Sequence, residues 1–245
     1  MSILHLLQLG RVSYDEGQRV MNEVVAARKA GAIADTLLLL EHPPVLTLGR
    51  NASRANVLAT NEELGRRGVT LHEINRGGDV TYHGPGQLVG YPVFDLRGDL
   101  PGKKGPHLGP VDFVRLMEDA LILTCKDFGV SAQRVKGRTG VWTIPGGSVE
   151  EKKVAAIGIH VSQAVTSHGF ALNVTPDLRD FGLIVPCGIA DRGVTSLEIE
   201  APEGTAVTLA LAAHAAAKNF GRVFDRQVLA AESLQHLLSP AASIE

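Results

Sequence analysis

The chain breaks its apolar runs with glycine and proline through its middle, while both ends carry helix-like periodicity. Helices must bury a stripe and strands a face, so this order predicts an α+β or mixed α/β layer architecture. Near the start, Ser13-Tyr14-Asp15-Glu16 reads as a capping box, followed by Val20, Met21, Val24 and Val25 on one helical face and a stop at Gly31. Thr36 to Glu41 is a short, continuous apolar run ended by Pro43-Pro44, which predicts a buried strand. Val45 to Leu48 extends that pattern, Asn61 to Gly68 predicts a short helix, and Val69 to Ile74 a strand. Arg76 to Gln87 reads as a polar, Gly-rich loop and Gly90 to Leu96 as the next strand. A surface loop from Leu100 to Pro110 leads to a helix over Val111 to Phe128. Strands are expected at Val141–Ile144, Val154–Val161, Gly169–Val174 and Thr195–Ile199. Helices are expected at Val207–Phe220 and Arg226–Leu238. No repeat or low-complexity linker divides the sequence, and 245 residues fit one domain over 1–245.

The charge balance narrows the function classes. A formal net charge of −2 excludes a globally basic nucleic-acid binder. Two cysteines, Cys125 and Cys187, make no disulfide framework, so a cytoplasmic location is expected. The first ten residues carry no basic region ahead of an apolar stretch, and runs such as Leu37 to Leu40 are too short to span a bilayer.

Three places could carry chemistry. Cys187 sits between Pro186 and Gly188, which suits a presented thiol, although a free Cys is also common core filler. Cys125 lies on the apolar face of a predicted helix and reads as core. A nucleophilic thiol needs a nearby cation or base, since a reference pKa near 8.5 leaves only a few per cent thiolate at neutral pH. Lys153 and His83 are candidates for that partner. Lys153 closes the charged turn Glu150-Glu151-Lys152-Lys153 and opens an apolar strand, so it is either a solvated lysine or one projecting from a strand end into a site. The third place is Arg76-Gly77-Gly78-Asp79-Val80-Thr81-Tyr82-His83-Gly84-Pro85-Gly86-Gln87, which puts four glycines among charged and aromatic residues. Such a loop presents backbone N–H groups to a ligand or an oxyanion. It lacks the Gly-Lys-Ser/Thr ending of a phosphate loop and does not open a helix as a dinucleotide fingerprint does. The histidines show no tight metal-ligand spacing, and no Gly-x-Ser-x-Gly elbow is present.

Taken in order, that loop, then Lys153-Val154-Ala155-Ala156-Ile157-Gly158, then His168-Gly169-Phe170-Ala171-Leu172-Asn173-Val174, then Pro186-Cys187-Gly188-Ile189 closely resemble the lipoyl(octanoyl) transferases of lipoate biosynthesis. The resemblance runs from Glu41-His42-Pro43-Pro44 to Gly193-Val194-Thr195-Ser196-Leu197. It implies the biotin/lipoate protein ligase fold, a mixed β-sheet flanked by helices. It implies transfer of octanoyl from octanoyl-acyl carrier protein to a lysine of lipoyl domains, in 2-oxoacid dehydrogenases or the glycine cleavage H protein. Cys187 matches the acyl-thioester nucleophile and Lys153 the lysine that tunes it. Arg76, Gly77, Gly78, Asp79, Val80, Thr81, Tyr82 and His83 match one substrate-binding stretch; Ala156, Ile157 and Gly158 match a second, and His168, Gly169 and Phe170 a third. His160 stands where Arg or Lys is more usual. No cofactor, metal or ATP is implied, and no membrane or nucleic-acid partner.

Two features of the sequence bear on the protein substrates and on rival functions. Arg50, Arg54, Arg66, Arg67 and Arg76 crowd one region of a nearly neutral chain, as a docking patch for acidic proteins or as scattered surface charges. The rivals are an ATP-using lipoate ligase on the same fold, a thiol hydrolase and a non-catalytic carrier-protein binder.

Overall fold

The structure, a computed structural model, describes residues 2–144, 150–185 and 193–238. The predicted nucleophile Cys187 lies outside the described residues.

The sequence folds into a large mixed sheet, a small sheet and two helical layers. The strands are β1 (Ser2–Arg11), β2 (Asp35–Glu41), β3 (Val45–Leu48), β4 (Thr70–Glu73), β5 (Val80–His83), β6 (Gln87–Val93), β7 (Ala132–Val135), β8 (Arg138–Thr143), β9 (Lys153–Ser162), β10 (Val165–Asn173) and β11 (Arg226–Ala230). The helices are α1 (Tyr14–Lys29), α2 (Asn61–Arg66), α3 (Pro110–Asp127), α4 (Leu197–Glu200), α5 (Leu209–Val223) and α6 (Leu234–Leu238). The large sheet has the order β11-β1-β2-β6-β10-β9-β8-β7, and the small one β4-β3-β5.

Strand β2 shows why a central strand reads as an unbroken apolar run. Leu37 and Leu39 face α3 and α5, whereas Leu38 and Leu40 face α1. Helix α1 starts as the sequence predicts, with Ser13 Oγ accepting from Glu16 N at 3.2 Å. Glu16 does not complete the box; its carboxylate accepts from Arg19 instead. Behind the large sheet, α3 and α5 cover a core that includes Phe94, Phe113, Phe220, Phe224 and Cys125. The small sheet packs on α2 and on Phe181, Leu183 and Ile184.

Four sequence expectations change. Residues 2–11, given no element, supply β1, which pairs in parallel with both β2 and β11. Arg76 to Gln87 is not one loop, because Val80–His83 pairs antiparallel with β3. Thr195–Ile199 is not a strand: Ser196 Oγ accepts from Ile199 N and starts the single turn α4. Arg226–Leu238 is not one helix. Asp225 has φ +51°, which turns the chain back so that Arg226–Ala230 pairs with the otherwise open edge of β1. A sheet edge offers backbone partners that an exposed helix cannot match, and tertiary pairing overrides the local pattern.

Candidate active site

A cavity of about 530 Å³ lies between the face of β6, β10, β9 and β8 and the inner face of the small sheet, with Tyr14 of α1 at its edge. That volume suits a small ligand. Its floor is built from small residues: Ala156 pairs with Ala171 and Gly158 with Gly169 across β9 and β10, and Val89 pairs with Ala171 from β6. The residues between them, Ile157 and Phe170, also pair. The absence of side chains at Gly158 and Gly169 is needed for packing. A Cβ on Gly158 would lie 2.6 Å from Gly77 O, and one on Gly169 would lie 2.2 Å from Gly90 O.

The opposite wall comes from the stretch 74–83. Arg76 is buried, and its Nη2 donates to Thr47 O at 2.7 Å and Thr47 Oγ1 at 2.9 Å. Gly77 N donates to Ile159 O at 2.9 Å, which ties this wall to the floor strand. The Asp79 carboxylate accepts from Val80 N, from Ser53 N and from Asn56 Nδ2 at 2.6 Å. Alternation along β5 then splits the predicted set. Thr81 and His83 line the cavity, while Val80 and Tyr82 pack in the small-sheet core, where the Tyr82 hydroxyl donates to Asp180 Oδ2. Arg76 is thus part of the cavity wall, not of a surface patch. Arg54 pairs with Glu73, and Arg67 with Glu63 and Asp180.

His83 is held on both sides. Its Nδ1 lies 2.8 Å from Gln87 Oε1, and the Gln87 amide nitrogen donates to Tyr82 O and to Asn173 Oδ1. Nδ1 therefore carries the proton, and Nε2 accepts from Thr47 Oγ1 at 3.3 Å. Burial pushes His83 down to about 3. A neutral ring with both nitrogens engaged shapes its surroundings and has no free lone pair for a thiol proton. His168 has φ +57° within β10, an uncommon conformation that His tolerates better than most residues. Its Nε2 reaches Asn75 Oδ1 at 2.8 Å, and burial pushes it down to about 4. A third buried ring, His42, is fixed by Val12 O on Nδ1 and the Tyr91 hydroxyl on Nε2, each at 2.9 Å.

Lys153 opens β9 at the cavity edge and is buried, not solvated. Its backbone is locked to the chain that follows residue 192: Lys153 N donates to Gly193 O and Thr195 N to Lys153 O, both at 3.0 Å. Asn173 Nδ2 supports the same limb by donating to Thr195 O at 2.8 Å. On the other flank, Val185 N donates to Asn56 O at 2.8 Å. The two described flanks of Cys187 are thus tied to the cavity walls, one through Asn56 and Asp79 and one through Lys153. Cys125 is fully buried on the inner face of α3, where burial pushes its thiol up to about 12.

The structure brings together Arg76, Gly78, Asp79, Thr81, His83, Lys153, Ala156, Ile157, Gly158, His168, Gly169 and Phe170 around one cavity; Gly77 does not line it and instead ties the wall to Ile159 through its backbone N–H. The sequence reading missed Tyr14, Thr47, Tyr91 and Trp142. A polar residue in an apolar strand marks Thr47, and a sole tryptophan marks Trp142. Nothing local marks the two tyrosines. The cavity lining carries Lys153, Arg76 and Arg138 together with Asp79, and its two histidines are held neutral. Among the described residues no group of His, Cys, Asp and Glu is arranged to hold a metal, and no helix is long and apolar enough to cross a membrane.

Known proteins match this arrangement over nearly its whole length. The lipoyl protein ligase A/B catalytic domain family matches residues 13–221. The octanoyltransferase of Acidobacterium capsulatum is 62% identical over 99% of this chain and 98% of its own, and that of Koribacter versatilis 52% over 96% and 90%. Among solved structures, the bi-partite lipoate protein ligase of Thermoplasma acidophilum superposes with a TM-score of 0.65 at 16% identity, covering 97% of this chain and 91% of that one. An ATP-bound lipoate-protein ligase A gives 0.60 at 16% over 97% and 92%. Those two establish the fold. The sequence relatives go further: this chain belongs to the octanoyltransferases, acyltransferases of the lipoyl protein ligase A/B catalytic-domain family.

Proposed function

We propose that this protein, as one catalytic domain over 1–245, moves an octanoyl group from octanoyl-acyl carrier protein to a specific lysine of lipoyl domains through a thioester on Cys187. The acceptors would be the lipoyl domains of 2-oxoacid dehydrogenase complexes and the glycine cleavage H protein, and the setting the cytoplasm. The ligase of T. acidophilum has been solved as part of a lipoylation system with its E2 lipoyl domain, which supports the acceptor class. The observation that carries the chemistry is Lys153, a buried amine at the cavity edge whose backbone is bonded to Gly193 and Thr195, the limb that leaves the Cys187 segment.

The proton balance closes on one lysine. The Cys187 thiolate, beside the Lys153 ammonium, attacks the carrier thioester carbonyl; the new C–S bond forms and the carrier thiolate leaves. That thiolate takes the Lys153 proton and departs as a thiol. The acceptor amine then attacks the acyl-enzyme, gives its proton to the Lys153 amine, and expels the Cys187 thiolate. One thioester replaces another in the first step and an amide replaces a thioester in the second, so no ATP is consumed. The small-residue floor of Ala156, Gly158, Gly169 and Ala171 gives the acyl chain its room. Burying its methylenes at about 0.8 kcal/mol each contributes roughly 5 kcal/mol.

The test is incubation with octanoyl carrier protein in the absence of ATP, followed by intact mass measurement. The expected result is a hydroxylamine-sensitive adduct in the wild type and Cys125→Ser, absent in Cys187→Ser. An adduct that persists in Cys187→Ser overturns the mechanism. Lys153→Ala is expected to slow transfer by about 10²–10⁴-fold and to raise the pH at which Cys187 is alkylated; an unchanged alkylation profile removes Lys153 from the chemistry.

A further inference from the structure

A buried lysine ordinarily sits against a carboxylate. Among the described residues no acidic side chain forms an ion pair with it. Its Nζ lies 4.8 Å from the ring centroid of Trp142, a residue of β8 paired with it across the β8–β9 ladder and only 1% exposed. The ladder shifts register between Val141 and Trp142. Gly140 completes the enclosure, since a Cβ there would lie 3.5 Å from Lys153 Cε. Gly140 N in turn donates to Glu118 Oε1 at 3.0 Å, and the other oxygen of that fully buried carboxylate accepts from Arg115 and Arg134. Glu118 is therefore committed behind the strand.

We propose that the face of Trp142 is the counter-partner of Lys153, holding its ammonium in the place a carboxylate would otherwise take and setting how readily Lys153 gives up its proton. A carboxylate would bind the ammonium too firmly for a group that must give and then take a proton in one turnover. An indole face attracts the cation through its quadrupole, carries no charge and offers the neutral amine nothing to bind. Trp142 is thus a positioning residue acting through Lys153. This deepens the transfer mechanism proposed above and rests on it for the effect on rate, not for the effect on ionisation.

Among the described residues, the other ionisable side chains lining the cavity are two arginines, one aspartate, two histidines and two tyrosines. Arg76 and Arg138 line the cavity, and the Arg138 guanidinium lies 5.9 Å from the same indole. Asp79 is bound by Asn56 and two backbone N–H groups. His83 and His168 are held neutral far below pH 7, and burial raises the Tyr14 and Tyr91 phenols.

Trp142 is the only tryptophan in the chain, so growth on fluorotryptophans alters this one ring without a change of shape. The full-length protein carrying mono-, di- and trifluorinated tryptophan is followed by 19F NMR against pH and by the pH profile of kcat/KM, with Lys153→Met as control. The expected 19F transition is absent in Lys153→Met and moves to lower pH with each added fluorine, by roughly 0.5–1 pH unit in total. The basic limb of kcat/KM moves with it. A transition that ignores fluorination, or survives in Lys153→Met, overturns the proposal. A transition that moves while the basic limb stays fixed upholds the Trp142–Lys153 contact and overturns Lys153 as the proton carrier of the transfer reaction.

Discussion

Replacing Gly158 with Ala tests how tightly the cavity floor supports its wall. The new Cβ would fall 2.6 Å from Gly77 O and 3.2 Å from Arg76 Cδ. Carbon–oxygen contacts settle near about 3.3 Å, so the wall must retreat by roughly 0.7 Å. That movement stretches the 2.9 Å bond from Gly77 N to Ile159 O beyond useful length. The lost bond costs about 1 kcal/mol and the overpacking about 1–3 kcal/mol. Gly158 does not have a positive φ, so the Ala backbone is unstrained and recovers up to ~1 kcal/mol by restricting the unfolded chain. A net loss of about 1–3 kcal/mol corresponds to a fall in Tm of about 2–12 °C in a chain of this size. The wall that moves carries Arg76, Gly78 and Thr81, and a displacement near 1 Å lowers the transfer rate by up to ~10²-fold. Gly65→Ala is the control, since its Cβ meets nothing within 4 Å and it lies inside α2; it should be neutral or stabilising by up to ~1 kcal/mol. Differential scanning calorimetry and steady-state octanoyl transfer measure both. A Gly158→Ala protein with the wild-type Tm and a rate within twofold of wild type would show that the floor and wall are not in register as described.

Other outcomes follow from the buried polar groups. Asn173→Leu keeps the volume but leaves Thr195 O without its side-chain donor and Gln87 Nε2 with Tyr82 O as its remaining acceptor, so urea unfolding should show a loss of about 2–4 kcal/mol, with an unchanged midpoint as the refuting result. His168, neutral in the fold and lowered to about 4 from 6.5, binds more protons when unfolded. Its contribution to stability is present above about pH 6.5 and is lost as pH falls towards 4, with a slope of up to ~1.4 kcal/mol per pH unit. His168→Asn, which tolerates the positive φ, should remove that share of the slope; urea melts from pH 7 to pH 4.5 with the wild-type slope would contradict it.

Much of this was legible in the sequence because the relevant patterns are local. Helix α1 announces itself through Ser13 and its apolar face, and β2 through six consecutive buried residues. The site residues were legible as ordered motifs, since Gly158 and Gly169 are glycines for a reason that no other residue type can satisfy. What escaped depends on partners distant in sequence. Arg226–Ala230 is apolar enough for a helix face and becomes a strand only because β1 has an open edge. The two-residue turn at Gln163 and Ala164, both at positive φ, lacks the Asn-Gly that marks such hairpins. Lys153 reads as a surface charge in Glu150-Glu151-Lys152-Lys153, and only its pairing with Trp142 and Gly193 buries it.

A chain of buried polar groups joins the cavity wall to the limb beside Lys153, and its direction is fixed. Arg76 can only donate, and gives a hydrogen to Thr47 Oγ1; the Thr47 hydroxyl gives its own to His83 Nε2. His83 Nδ1 donates to Gln87 Oε1, Gln87 Nε2 to Asn173 Oδ1, and Asn173 Nδ2 to Thr195 O, which can only accept. Reversing any single amide or imidazole would set donor against donor at one end and acceptor against acceptor at the other. With an obligate donor at the start and an obligate acceptor at the end, one arrangement satisfies every member. Burial makes each unmet group cost about 1–3 kcal/mol, so the alternatives are scarcely populated. Thr195 N bonds to Lys153 O, and the relay therefore holds the Lys153 backbone in the same frame as Arg76, across four strands of two sheets. A reaction that needs a thioester carbonyl, a thiolate and a proton carrier within bonding distance depends on that shared frame, which explains why polar residues occupy sites where leucine would pack as well.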